Sequence, residues 1–317
     1  MRYPSFVFVA LSLAAQTVPR SSSAAAPDPA KIATLLETGH CSEALPLTKK
    51  AYAGAPVSDL KRRLGTGGVR CAMSLNNTSV AAELIAMLNR DFPRDPDILY
   101  LTVHTYSDLS LRASQTLLFT NPSAYQVHEL NAEALETQGK WDEAAEEYRM
   151  VLKDYPTLPG IHYRLGRLLL SKPAAPNVRE DARKEFEEEL RIDPSSAGAE
   201  FVLAELARQS DNFTEAIERF TRATKLDAMF ADALIGLGRS LLSAERAAEA
   251  VAPLERAEKL QPDNPTIHFM LANAYRRSGR QSDADRETEE HRVTSQKARQ
   301  TTDDLKKAVT GTGGKLQ

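Results

Sequence analysis

The sequence predicts an all-α protein assembled from stacked helix pairs, and three observations carry that expectation. A unit of 34 residues recurs in register: Ala216, Ala250 and Ala284 are spaced by 34 and again by 34, and residues 197–230 and 231–264 carry small and apolar side chains at equivalent places. The composition is rich in alanine with only 6% aromatic residues, which suits helical repeats better than a sandwich or barrel. Glycine and proline fall where turns between helices are required. A unit of this length is one helix pair that cannot bury its apolar face alone, so neighbours must stack.

Residues 1–25 read as an export signal. Arg2 supplies the positive end, Phe6 to Ala15 is a short apolar run, and small residues follow from Ser21 to Ala26. Cleavage is expected after Ala25, because a cut after Ala26 would put Pro27 beside the scissile bond. The run is too short to span a bilayer as a mature anchor. The sequence therefore predicts an exported chain, periplasmic or secreted, without stable membrane insertion after cleavage; a retained anchor is the alternative.

Residues 26–124 carry divergent repeats. Gly39, Ala44, Ala51 and Pro56 fit a unit at 25–58, and Ala81, Ile85, Leu88 and Pro93 fit one at 62–95. Residues 96–124 are too few for a full unit, and Leu99, Tyr106, Leu117 and Leu118 suggest a degenerate pair with a shortened loop. Cys41 and Cys71 lie in the first two units, either bridged, as export permits, or present as two half-buried thiols. Gly65, Gly67 and Gly68 look briefly like a phosphate loop, but Val69 and Arg70 stand where a Lys and a Ser or Thr are needed. Close packing or an irregular first helix is the expected use of these glycines.

From 125 to 298 five units follow. The first has Gly139, Trp141, Ala144, Tyr148 and Pro156; the second has Leu165, Gly166, Ala182, Phe186 and Pro194, with four extra residues near Lys172 to Asn177. The third and fourth carry Leu203, Ala204, Phe220 and Leu237, Gly238, Leu254; the fifth has Leu271, Ala272, Tyr275 and Gly279. Periodicity ends at Arg299, where a polar tail, 299–317, begins and is expected to be disordered, above all in the glycine- and threonine-rich stretch from Thr310 to Lys315; Asp303 to Val309 is a candidate extension of the last helix.

These residues match the pattern aromatic-x2-Leu-Gly-x2-Tyr, Ala-x3-Phe, Pro, and the chain resembles the tetratricopeptide repeat family, exported bacterial type, over about 27–298. The resemblance implies a right-handed α-α superhelix of about seven helix pairs. This chain departs from the family at the fourth place of each unit, where His128, His162, Glu200, Leu234 and His268 replace the aromatic residue. The histidines are expected at the packing seam. No metal ligation is expected of them, because first helices lie on the order of 18 Å apart across an intervening helix while one ion needs ligands at about 2 Å.

The resemblance also implies that the first helix of each pair lines a concave groove through places two, five, nine, twelve and thirteen, which share one helical face. In this chain those places hold an acidic lip of Glu129, Glu133 and Glu136, then Tyr163, Arg167 and Leu170, then Phe201, Glu205 and Arg208, then Ile235, Arg239 and Leu242, and last Phe269, Asn273, Arg276 and Arg277. Arginine and aromatic side chains are the usual anchors of binding surfaces. Tyr163, Arg167, Phe201, Arg208, Arg239, Phe269, Arg276 and Arg277 are the expected partner-binding residues. A carboxylate clamp of the chaperone-binding type is not formed, since Phe269 stands in place of its Lys although Asn273 is present.

No catalytic constellation emerges. Runs such as Glu187, Glu188 and Glu189, or Glu289 with Glu290, splay around a helix and read as solvated faces. A net charge of -3 points neither to nucleic acid nor to a membrane surface. The sequence predicts a non-enzymatic protein-interaction or assembly module without a cofactor, whose partner is a protein or peptide of acidic character. The alternatives are a non-catalytic subunit of an envelope enzyme or secretion complex, or an enzyme with its site in 62–124.

Overall fold

The computed structural model describes residues 28–172 and 177–312. The export signal and its cleavage point lie outside the described residues. Fifteen helices and no strand occur among those described, and the chain divides into two compact units, 1–120 and 121–317.

The first unit holds α1 (Pro29–Glu37), α2 (Cys41–Gly54), α3 (Asp59–Ser74), α4 (Thr78–Asp91) and α5 (Pro96–Thr120). Short polar residues start the helices by satisfying orphan N–H groups: Asp28 accepts from the Ala30 amide, Ser58 from Lys61 and Asn77 from Val80. Ile32, Leu36, Tyr52, Leu64, Leu84, Ile85 and Leu88 form one core. The three glycines of α3 belong to that core. A Cβ on Gly65 would meet Leu88 Cδ2 at 2.5 Å and one on Gly68 would meet Thr48 Cγ2 at 2.7 Å, so their use is close helix packing. Cys41, opening α2, and Cys71 in α3 are joined by a disulfide, with Cα atoms 5.0 Å apart.

The second unit holds α6 (Tyr125–Thr137), α7 (Trp141–Asp154), α8 (Ile161–Ser171), α9 (Val178–Ile192), α10 (Ala197–Gln209), α11 (Phe213–Leu226), α12 (Ala231–Ser243), α13 (Ala247–Leu260), α14 (Pro265–Arg277) and α15 (Gln281–Thr312). Five antiparallel pairs result, each stacked on the next. Ala144, Ala182, Ala216, Ala250 and Ala284 are fully buried at the contact between the two helices of their pairs, and Tyr148, Phe186, Phe220 and Leu254 fill the seam one turn on. Small residues facing large ones let the layers interdigitate at native density.

The backbone itself repeats. Gly39, Asn76, Gly139, Asp211, Glu245 and Gly279 all have φ between 56° and 81°, and each is the fifteenth residue of its unit. This left-handed residue ends the first helix and turns the chain into the second.

Two expectations are corrected. Residues 96–124 do not form a degenerate pair: α5 runs straight through for 25 residues. Ser110 stands at its fifteenth place and stays helical, and residues 111–120 are fewer than the 14 of a second helix such as α7. Nor is the tail disordered from Arg299: the extension at Asp303 to Val309 is part of α15, which runs unbroken to Thr312. No proline interrupts it, and contacts one turn apart, such as Gln300 Nε2 to Asp304 Oδ1 at 3.0 Å, support an exposed helix. Residues 313–317 lie outside the described residues.

Candidate functional site

In the second unit the first helices α6, α8, α10, α12 and α14 follow one another along one face, and side chains cross from each to the next. Arg164 of α8 reaches back to α6, 2.5 Å from Glu133 and 3.6 Å from Glu129. Tyr148 donates its O–H to Glu136 at 2.8 Å. The acidic lip is thus held from beside by one guanidinium and from beneath by one hydroxyl, and keeps a net negative charge. Partial burial alone would lower the affinity of Arg164 for its proton, but hydrogen bonds to Glu133 and Tyr148 and the nearby glutamates leave it more firmly cationic than usual.

The expected binding residues divide into three groups. Tyr163 and Phe201 are half-buried and work as packing: Tyr163 meets Phe186 edge-on at 5.6 Å, and Phe201 lies against Phe220 and Phe230 at 5.8 and 4.8 Å. Arg208 is held by Glu205 one turn before it, at 2.8 Å with both side chains mostly covered. Arg276 turns toward α15, 3.5 Å from Thr288 Oγ1.

Arg239, Phe269 and Arg277 come together with Leu242, Thr266 and Asn273 around a cleft of about 420 Å³ between α12 and α14. Phe269 is 57% exposed, with its ring 5.6 Å from that of His291. Arg277 Nη1 donates to the Leu242 carbonyl at 2.9 Å and its other nitrogen pairs with Glu245, which ties the end of α14 to the end of α12. Arg239 is exposed and, like Arg167, has no ion-pair partner among the described residues. The cleft therefore offers a free guanidinium, an amide from Asn273 and an apolar plate.

A polar seam runs behind this face, one that the repeat pattern did not announce. At the fourth place His128, His162 and His268 pair through Nδ1 with Glu147, Glu185 and Glu287 on the second helix, at 2.6, 2.6 and 2.9 Å. The third unit inverts the polarity: Glu200 meets Arg219 at 3.3 Å and Arg222 at 2.6 Å. In the fourth unit the same two places hold buried Leu234 and Pro253. The signal was present as a constant separation of 19 residues, raised to 23 by the insertion at His162.

His268, Glu287 and Glu258 gather their ligand-type atoms within 4.8 Å of one another. His268 Nε2 also lies 2.8 Å from the Pro262 carbonyl oxygen. Each ring nitrogen thus faces an oxygen, an arrangement that favours the doubly protonated imidazolium. The 2.9 Å separation of His268 Nδ1 from Glu287 Oε2 is an ordinary hydrogen-bond spacing.

The acidic run on α9 is also revised. Glu187 and Glu188 are exposed, but Glu189 is buried and accepts the backbone N–H groups of Gly160 and Tyr163 at 2.8 and 3.2 Å. It caps α8 from the neighbouring helix, satisfying donors that Gly160 has no side chain to reach. In the first unit Arg62, Thr66, Arg70, Asp97, Tyr100 and His104 line a cleft between α3 and α5, where Arg62 is held by Asp95 and Asp97.

No helix among the described residues is long and apolar enough to cross a membrane. A family model described as Tetratricopeptide repeat matches residues 107–159, 177–228, 201–265 and 238–285, together half of the chain. No curated protein matches. Among solved structures, the MamA RS-1 ArsTM double mutant aligns with a TM-score of 0.50 at 14% identity, over 55% of this chain and 96% of that one. A crystal structure of MamA aligns at 0.48 and 22% identity over 53% and 96%. YrrB, described as a TPR protein with an unusual peptide-binding site, aligns at 0.49 and 15% over 57% and 92%. At these identities the likeness is one of fold.

Proposed function

Because the chain belongs to the tetratricopeptide repeat family, we propose that its second unit is a non-enzymatic interaction module holding a partner polypeptide along the face of its first helices. The observation that carries this reading is the cleft between α12 and α14, where the unpaired Arg239 stands beside the exposed ring of Phe269. A guanidinium offers a planar fork to a carboxylate, and an exposed aromatic ring offers an apolar anchor. The partner segment is accordingly acidic and carries an aromatic or large aliphatic side chain near its acid. Arg208 contributes little, since its charge is already spent on Glu205.

The module is read as exported. The apolar run from Phe6 to Ala15 supports this, as does the pairing of Cys41 with Cys71, because such bonds persist in oxidising compartments. The same binding face serves equally within a larger envelope assembly, as a non-catalytic subunit.

A panel of labelled peptides, matched in aromatic content and differing in charge, tests the reading by fluorescence anisotropy. Wild-type protein is expected to prefer the acidic members, and Arg239→Glu with Phe269→Ala is expected to weaken them about tenfold or more at unchanged melting temperature. Equal binding of acidic and basic peptides, or full binding by the double variant, would sink it.

A further inference from the structure

Every first helix of the second unit buries the residue at its eighth place against its own second helix: Ala132, Gly166, Ala204, Gly238 and Ala272 are all buried. The eleventh place is likewise covered at Leu169, Ala207, Leu241 and Tyr275. Helix α5 is a first helix with no second helix behind it. Its fourth, eighth and eleventh places are Leu99, Val103 and Tyr106, which stand 45%, 63% and 49% exposed. Ile98 and Thr105, about a third of a turn round the helix from these places, are buried against the rest of its unit.

The bare face extends along the helix. Leu99, Val103, Tyr106, Ser110, Ala113 and Leu117 follow a spacing of four, three, four, three, four, the seam of a two-stranded coil, and Leu111 and Leu118 widen it. Asp97, Asp108 and Arg112 all fall on the far side of the helix, so no charge lies on the stripe between Leu99 and Leu118. The exposed apolar side chains offer roughly 500 Å², the larger part of the 800 Å² or so that one partner gives a standard interface.

We propose that this face pairs with the same face of a second copy of the chain, α5 against α5 in antiparallel orientation, making a two-fold symmetric dimer. The residues favour self-pairing over any other occupant. Run antiparallel about Asp108, the seam sets Tyr106 of one copy opposite Ser110 of the other, Val103 opposite Ala113 and Leu99 opposite Leu117. Large therefore meets small at the centre and leucine meets leucine at each end, as interdigitated packing requires. Two identical charge-free faces bring no like charges together, and a two-fold interface needs only such self-complementarity.

Sedimentation velocity on the full chain tests the proposal. Wild-type protein is expected to sediment as a dimer at about 10 µM, and Val103→Glu with Tyr106→Glu to raise the dissociation constant about 100-fold or more, with helical content unchanged because both side chains lie outside the core. Arg239→Glu, in the other unit, is expected to leave the dimer intact. A mixture of Tyr106→Cys and Ser110→Cys chains should form a covalent heterodimer on mild oxidation, a readout that holds even if the double glutamate variant loses helix. A wild-type monomer, a dimer that survives the glutamates in folded protein, or no covalent product would overturn the proposal.

Discussion

His268 and Glu287, 19 residues apart in sequence, meet at 2.9 Å in the seam between α14 and α15, each side chain only 3% exposed. The same two places join His128 to Glu147 and His162 to Glu185 nearer the surface. The innermost pair is the one with consequences for stability, because charge buried in low dielectric is costly unless both partners stay bonded.

Stability of the second unit is expected to fall as pH rises above neutrality. Burial pulls the His268 pKa down, but hydrogen bonds to Glu287 and the Pro262 carbonyl, with the fields of Glu287 and Glu258, raise it above 6.5 on balance. A histidine with a raised folded pKa stabilises fully below its unfolded value and loses that contribution as pH climbs through the folded one. Melting curves followed upward from about pH 6 check this. The dependence should vanish in His268→Leu with Glu287→Leu, a change that copies the apolar pairing of Leu234 and Pro253 in the fourth unit. A flat wild-type profile would refute it.

Ala250 is fully covered between α12 and α13. Replacing it by Leu should overpack that contact at a cost of about 1 to 3 kcal/mol. Because stacked repeats are coupled to their neighbours, hydrogen exchange should speed up in α10 to α15. Unchanged protection there would contradict the coupling.

Glu245 adopts φ 62° where Gly139 and Gly279 serve in other units. The left-handed conformation costs an L-residue about 1 to 2 kcal/mol, whereas its ion pair with Arg277 is largely solvent-exposed and worth little. Glu245→Gly is expected to raise the melting temperature, and a fall would mean that the tie between α12 and α14 outweighs the strain.

The Cys41–Cys71 bond closes a segment of 30 residues. Its reduction should cost the first unit about 3 to 4 kcal/mol through the freedom returned to the unfolded chain. In denaturant titrations with and without dithiothreitol only the transition belonging to 1–120 should shift. An equal shift of both units would rule out a local role.

The repeat was legible in the residues alone. Its places are set by packing within one helix pair, between neighbours close in the chain, and the alanines, seam aromatics and turn glycines that satisfy it are visible as a period. The exceptions were decided by stacking. Whether Ser110 turned the chain or continued α5 depended on whether enough residues followed to repay a second helix by burial. Which groove arginines remain free was settled by side chains on neighbouring turns and helices: Glu205 claims Arg208, and Glu245 with the Leu242 carbonyl claims Arg277. Arg239 is left facing the cleft. Charge on a helix face can be counted from sequence, but its availability depends on what stands within hydrogen-bond reach, and only the packed arrangement of the pairs fixes that.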